Sequence, residues 1–199
     1  MQIRKAVYQY GFALPEQYRD LGMTEIAVAG KSNVGKSSFI NMITNNGKLS
    51  RVGSTPGKTR IINAFVLNDE FVLMDLPGYG YARVNNAEKD RWGKLIELYL
   101  ANSPNLKHVI LLLDIRHKPT EDDKLMLKWL YFYSIPFSIG ATKADKISKS
   151  QLNIRLNELA REIGITPTQI YPVSALNSFG KEKILNRFDE ILKEDETEV

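Results

Sequence analysis

Apolar residues along this chain fall into short runs that switch between the period of a strand and that of a helix. Residues 3–10 read as an edge strand and 14–18 as a turn or short helix. Residues 25–29 (Glu-Ile-Ala-Val-Ala) form an apolar run closed by glycine, the pattern of a buried strand. From Ser38 to Ile43 the apolar positions recur three and four apart, which predicts a helix, and Asn45-Asn46-Gly47-Lys48 predicts its stop. Residues 61–67 and 70–74 read as two strands joined by Asn68-Asp69, a hairpin signal. Beyond them, predicted helices over 89–100, 122–133, 150–163 and 180–192 alternate with predicted strands over 107–113, 136–141 and 169–173. Trp92, Leu95, Ile96 and Tyr99 mark the core face of the first of these helices.

That alternation predicts an α/β fold with a doubly wound sheet: about six strands, mixed because of one antiparallel edge hairpin, with helices on both faces. Residues 1–24 read as an N-terminal extension packing on the domain, 25–193 as the domain, and 194–199 as an acidic, frayed tail.

Composition changes this picture little. At 199 residues, with 43% hydrophobic and 25% charged positions, the chain is sized for one globular domain. It has no cysteine, which excludes disulfides, thiolate nucleophiles and cysteine-based zinc sites and suits a reducing cytoplasm. Neither a signal-peptide core near Met1 nor a run of membrane-spanning length is visible, so a cytoplasmic protein without stable membrane association is expected. Charge is more informative. A net +4 overall with −3 over residues 193–199 leaves +7 on residues 1–192, a basic body suited to a polyanionic partner.

The candidate chemistry sits where predicted strands end. Gly30-Lys31-Ser32-Asn33-Val34-Gly35-Lys36-Ser37, followed by Ser38, fits G-x-x-x-x-G-K-[ST] between a strand and a helix, the context a phosphate-binding P-loop requires. Its backbone N–H groups face an anion, Lys36 reaches β- and γ-phosphates, and the Ser37 hydroxyl ligates Mg²⁺. A second strand ends in Asp75-Leu76-Pro77-Gly78. The carboxylate there suits the water shell of Mg²⁺, and the Gly78 N–H suits a γ-phosphate. Residues 51–60, a hydroxyl- and glycine-bearing loop just after the P-loop helix, lie where a nucleotide-sensing switch belongs, with Ser54, Thr55 and Thr59 as alternative metal hydroxyls.

A third strand runs into Thr142-Lys143-Ala144-Asp145. A carboxylate there accepts from guanine N1–H and the exocyclic amine, a donor pair adenine lacks, and the Lys143 stem can cover the base. Ser174-Ala175-Leu176 leaves the last strand, where a backbone N–H can meet the guanine carbonyl. The small basic cluster Arg116-His117-Lys118 reads as solvated surface.

These motifs, in this order and spacing, resemble the translation-factor-class GTPases with a Ras-like domain. Pro15-Glu16-Gln17-Tyr18, residues 30–38, Pro56-Gly57-Lys58-Thr59 and residues 75–82 are similar to the EngB/YihA/YsxC family of ribosome-biogenesis GTP-binding proteins. The resemblance implies a single GTPase domain, acting as a monomer with GTP/GDP, that assists assembly of the large ribosomal subunit and meets its rRNA and proteins. It implies Mg²⁺ on Ser37 and Thr59, a switch that brings Gly57, Lys58, Thr59, Arg60 and Ile61 to the nucleotide, and K⁺ beside Asn33. Lys36, Thr59 and Gly78 would then carry catalysis. Val52-Gly53 departs from the two hydroxyl residues more usual ahead of Pro-Gly-Lys-Thr. Tyr79 stands where many GTPases carry a water-orienting glutamine, so slow hydrolysis is expected. Tyr79 and Tyr81, interleaved with Arg83, Lys89 and Arg91, would offer flat faces to unpaired bases. The competing expectation is a GTPase regulator that docks on a protein or membrane without RNA contact.

Overall fold

The computed structural model describes residues 1–50, 61–80 and 86–197, the side chains of 86–90, 92 and 196 excepted. Seven strands build one sheet: β1 (Ala6–Phe12), β2 (Glu25–Gly30), β3 (Ile62–Leu67), β4 (Phe71–Asp75), β5 (Leu106–Asp114), β6 (Phe137–Thr142) and β7 (Ile170–Pro172). Their order in space is β1-β3-β4-β2-β5-β6-β7. The run from β4 to β7 is parallel, while β1 and β4 flank β3 antiparallel. The doubly wound mixed sheet expected from the sequence is therefore present. The N-terminal strand supplies its outer edge, so the hairpin lies one strand in from that edge.

The helices are α1 (Lys36–Thr44), α2 (Asn86–Asn102), α3 (Glu121–Phe132), α4 (Lys149–Ile163) and α5 (Lys181–Thr197). Alternation along β2 explains the two layers. Ala27 and Ala29 face a core shared with Ile96, Met126 and Leu159, while Ile26 and Val28 face Ile40, Ile184 and Phe188. Leu95, Ile96 and Tyr99 are buried as their spacing predicts, and Trp92 falls outside the described side chains.

The β3–β4 turn shows the local sequence at work. Asn68 and Asp69 both adopt positive φ, at 54° and 59°, the backbone of a two-residue turn matched to strand twist. Asn68 then uses its amide on the N-terminus: Oδ1 accepts from the Arg4 and Lys5 N–H groups at 2.9 and 3.3 Å, and Nδ2 donates to the Gln2 carbonyl at 2.9 Å. Glu25 fastens the same segment from the other side. Its buried carboxylate accepts from Tyr18 and Tyr99 hydroxyls at 2.9 and 2.8 Å and from Ser103 at 2.7 Å.

The tail differs from its expectation. Helix α5 continues to Thr197, past the predicted end at 192. Asp195 accounts for this: its carboxylate takes the Thr24 hydroxyl and, at 2.7 Å, the Lys107 ammonium, so an acidic stretch read as frayed is pinned across the amino ends of the strands. Among the described residues no helix is long and apolar enough to cross a membrane.

Candidate functional site

The P-loop leaves β2 at Gly30 and enters α1 at Lys36. Gly35 caps the helix at φ 105°, a conformation open to glycine and strained for other residues. Val34, buried, anchors the loop from inside, and its N–H donates to the Lys31 carbonyl at 3.1 Å. The N–H groups that open α1 lack intrahelical acceptors by geometry, and with the helix dipole they make a cradle for an anion. Asn33 takes φ 66° and is exposed.

Asp75 ends β4 beside Val28 of β2 and is buried at 6% exposure. Its carboxylate pairs with the Lys36 ammonium. Two of the predicted phosphate-site residues thus neutralise each other in a poorly solvated position. A polyphosphate with its divalent cation fits this donor set: the cation side replaces Lys36 at Asp75, and the phosphate side replaces Asp75 at Lys36. The Ser32 hydroxyl oxygen gives the same indication, being buried with no hydrogen-bond partner among the described residues.

The base-side segment is built differently. The Thr142 hydroxyl donates to the Val34 carbonyl at 2.8 Å, joining this segment to the P-loop. Lys143, at φ 59°, turns its ammonium onto the Asn33 carbonyl and the Asp114 carboxylate, both at 2.9 Å. Asp145 accepts from the Ser174 hydroxyl at 2.7 Å, and this bond above all holds its pKa below the ordinary carboxylate value. The Ser174 N–H donates to the Phe179 carbonyl at 3.0 Å and is engaged within the fold. What Ser174 contributes is its side chain. Leu176, at 79% exposure, stands at the rim.

Asp114 was not singled out by sequence reasoning, yet it organises the centre of this region. Arg116 grips it through Nε at 2.9 Å and Nη2 at 2.8 Å, and Lys143 holds the second oxygen. Desolvation alone would raise its pKa, but these hydrogen bonds outweigh it and hold the carboxyl well below the usual range. The signal was present: Leu113-Asp114 closes an apolar strand as Met74-Asp75 does. Arg116 lies at the surface with His117 and Lys118, as the cluster was read, but its guanidinium is committed to Asp114. A cavity of about 330 Å³ opens between the P-loop and the β5–α3 connection, with Lys31, Ser32, Asp114, His117 and Asp123 on its walls.

One further expectation changes. Tyr79 is buried, at 1% exposure, so it presents no flat face to RNA; its hydroxyl donates to Asp123 at 2.8 Å. His108 lies away from the site. It lies on β5 against Ser138 at 2.9 Å, with burial pushing its pKa down to about 3. Gly57, Lys58, Thr59 and Arg60, with Val52, Gly53, Tyr81 and Arg83 and the side chain of Lys89, lie outside the described residues. Ile61 is half-buried just before β3.

Comparison with known proteins adds to this geometry. Residues 25–143 match the family of 50S ribosome-binding GTPases. The Probable GTP-binding protein EngB of Alkaliphilus metalliredigens is 46% identical over 98% of this chain and 95% of its own length. The corresponding protein of Clostridium kluyveri is 48% identical over 96% and 98%. A crystal structure of a probable GTP-binding protein EngB superposes with a TM-score of 0.71 at 25% identity, covering 86% of this chain and all of that one. The P-loop, the acid-ended β4 and the Thr142–Asp145 turn therefore have a common explanation: the chain belongs to the 50S ribosome-binding GTPases and, within them, to the EngB GTP-binding proteins.

Proposed function

We propose that this GTPase is a slow molecular switch that binds the large ribosomal subunit, or its precursor, in the GTP state and assists its assembly in the cytoplasm. The observation that carries the nucleotide half is the Asp145 carboxylate, kept ionised and aimed by Ser174 two strands away from the P-loop cradle. Guanine offers the carboxylate a pair of donors, and adenine has no such pair. In this reading the Ala175 N–H serves the guanine carbonyl, and the Lys143 stem covers the base while its ammonium stays on Asn33 and Asp114.

On the phosphate side, residues 30–38 hold the α- and β-phosphates through backbone amides. Lys36 leaves Asp75 for the β- and γ-oxygens, and the Gly78 N–H meets the γ-phosphate. Ser37, Thr59 and Asp75 would hold Mg²⁺, directly or through water, and the ion when bound neutralises charge on the β- and γ-oxygens. Gly57, Lys58, Arg60 and Ile61 belong to the same proposal on the strength of the family resemblance. Hydrolysis is attack of water on the γ-phosphorus with loss of the bond to the β-phosphate oxygen. With Tyr79 turned into the core and His108 near the amino end of β5, away from the P-loop end of the sheet, neither serves to orient that water. A low intrinsic rate follows, and K⁺ beside Asn33 would raise it by adding positive charge.

The ribosomal half rests on the family's own description and on the +7 charge of residues 1–192. Co-sedimentation with large subunits tests it. Binding should be stronger with a non-hydrolysable GTP analogue than with GDP and should weaken steeply with salt, because phosphate contacts release counterions. Binding indifferent to nucleotide and salt would point instead to a protein-only partner.

A further inference from the structure

We propose that Tyr79 is a positioning residue, a latch that fixes the Gly78 N–H toward the γ-phosphate by tying the Asp75–Gly78 turn to both the P-loop and the first turn of α3. The proposal rests on the nucleotide reading above and adds a role for three residues that reading leaves idle.

The latch has two ends. At the main-chain end, the Tyr79 carbonyl accepts the Ser32 N–H at 2.8 Å, and Lys31 and Tyr79 form a parallel β-bridge. Gly78, just before it, approaches so closely that a Cβ there would sit 3.1 Å from the Ser32 hydroxyl oxygen. At the side-chain end, the ring is in the core with Ile96 and Met126, and its hydroxyl donates to Asp123 Oδ1 at 2.8 Å. Asp123 is itself buried at 5% exposure, and its Oδ2 accepts the Thr120 N–H at 2.8 Å and the Thr120 hydroxyl at 2.7 Å. The buried carboxylate thus has three donors and caps α3 while gripping Tyr79. Burial first, and the Asp123 charge second, push the phenol pKa well above its usual value, so the hydroxyl stays a donor.

A residue held at both ends cannot swing as an exposed side chain does. Gly78 therefore has its direction set before any γ-phosphate arrives, and ordering that turn is not charged against GTP binding. GDP makes no contact with the Gly78 N–H, so the latch acts on one nucleotide only. That asymmetry separates positioning from general structural support.

The test uses the full chain and the variants Tyr79→Phe, Asp123→Asn and their combination, each checked by thermal unfolding. Affinities for GDP and a non-hydrolysable GTP analogue are then measured. Each single change should weaken the analogue about fivefold, the scale of one lost buried hydrogen bond, while GDP shifts by less than about twofold. The double variant should be no worse than the weaker single one, since both changes open the same link. Parallel loss for both nucleotides, unchanged or tighter analogue binding, or additive losses would each overturn the latch. Should the variants fail to fold, hydrogen exchange of residues 76–80 in the unaltered protein decides. Equal protection with GDP and with the analogue supports a preset turn, and protection gained only with the analogue refutes it. Failure of the unaltered protein to bind GDP would overturn the nucleotide reading and, with it, the latch that rests on it.

Discussion

The two sides of the crevice are held by opposite means. On the base side every functional side chain has a protein partner that a nucleotide need not displace: Ser174 on Asp145, Asn33 and Asp114 on Lys143, Val34 on Thr142. On the phosphate side, Lys36 and Asp75 are each other's partner, and in the proposed reading a Mg²⁺-bound polyphosphate parts them. A side that is complete beforehand gives affinity and base choice to GDP and GTP alike. A side that exchanges partners responds to phosphate number and metal. In the proposed reading specificity and switching therefore live on different strands of one sheet, and substitutions should separate them.

The largest effect should come from Asp145→Asn. It swaps one acceptor for a donor, which suits xanthine better than guanine. GTP and GDP affinity should both fall by about 100-fold or more, since two bonds to a charged group are disturbed, while XTP affinity rises. Nucleotide-competition binding measures this, and retained GTP affinity would break the base-side half of the comparison.

Next comes Asp75→Asn, which should act unevenly. Without the carboxylate the Mg²⁺ shell loses its anchor, so GTP affinity in Mg²⁺ should drop about tenfold or more. GDP binding in EDTA should hold or improve, because Lys36 is freed from its ion pair. Equal losses in both conditions would mean that the pair is only structural.

Ser174→Ala sharpens the contrast more mildly. Asp145 loses its aiming bond but keeps its charge, so both nucleotides should weaken by about fivefold, with or without Mg²⁺. An effect confined to GTP would place Ser174 on the switching side.

Legibility from sequence followed the same division. Residues that announce themselves by backbone demand or by position at a strand end were readable in their placement: the P-loop glycines, Asp75 and the Thr142–Asp145 turn. Strands and helices with a strong period, such as 107–113 and 150–163, fell close to their observed bounds. What could not be read was which partner a side chain finds across the fold. Arg116 was rightly read as surface, but its grip on Asp114 was not legible, because the turn that joins them has no periodic signature. Tyr79 looked like an exposed aromatic in a glycine loop because Asp123 arrives from a helix 44 positions later. The helical tail was missed for the same reason, since Thr24 and Lys107 are remote in the chain.

Asp114→Asn should have the smallest effect and the most instructive one. Asp114 touches no nucleotide; it holds Lys143, with Arg116 sharing the load. Removing one charge loosens Lys143 without releasing it from the Asn33 carbonyl, so GDP and GTP should weaken equally, by about threefold. In a Lys143→Ala background the same change should add almost nothing, because its route to the base is gone. The pH dependence follows from the depressed pKa of Asp114. A carboxyl held below its unfolded value contributes stability that is present above the ordinary carboxylate range and is lost only as pH falls through the folded value. Base-side affinity in the unaltered protein should therefore stay flat from about pH 8 to about pH 5. Fluorescent-nucleotide dissociation rates across that range measure it. A decline already visible between those limits would show that a group other than Asp114 and Asp145 sets the base side.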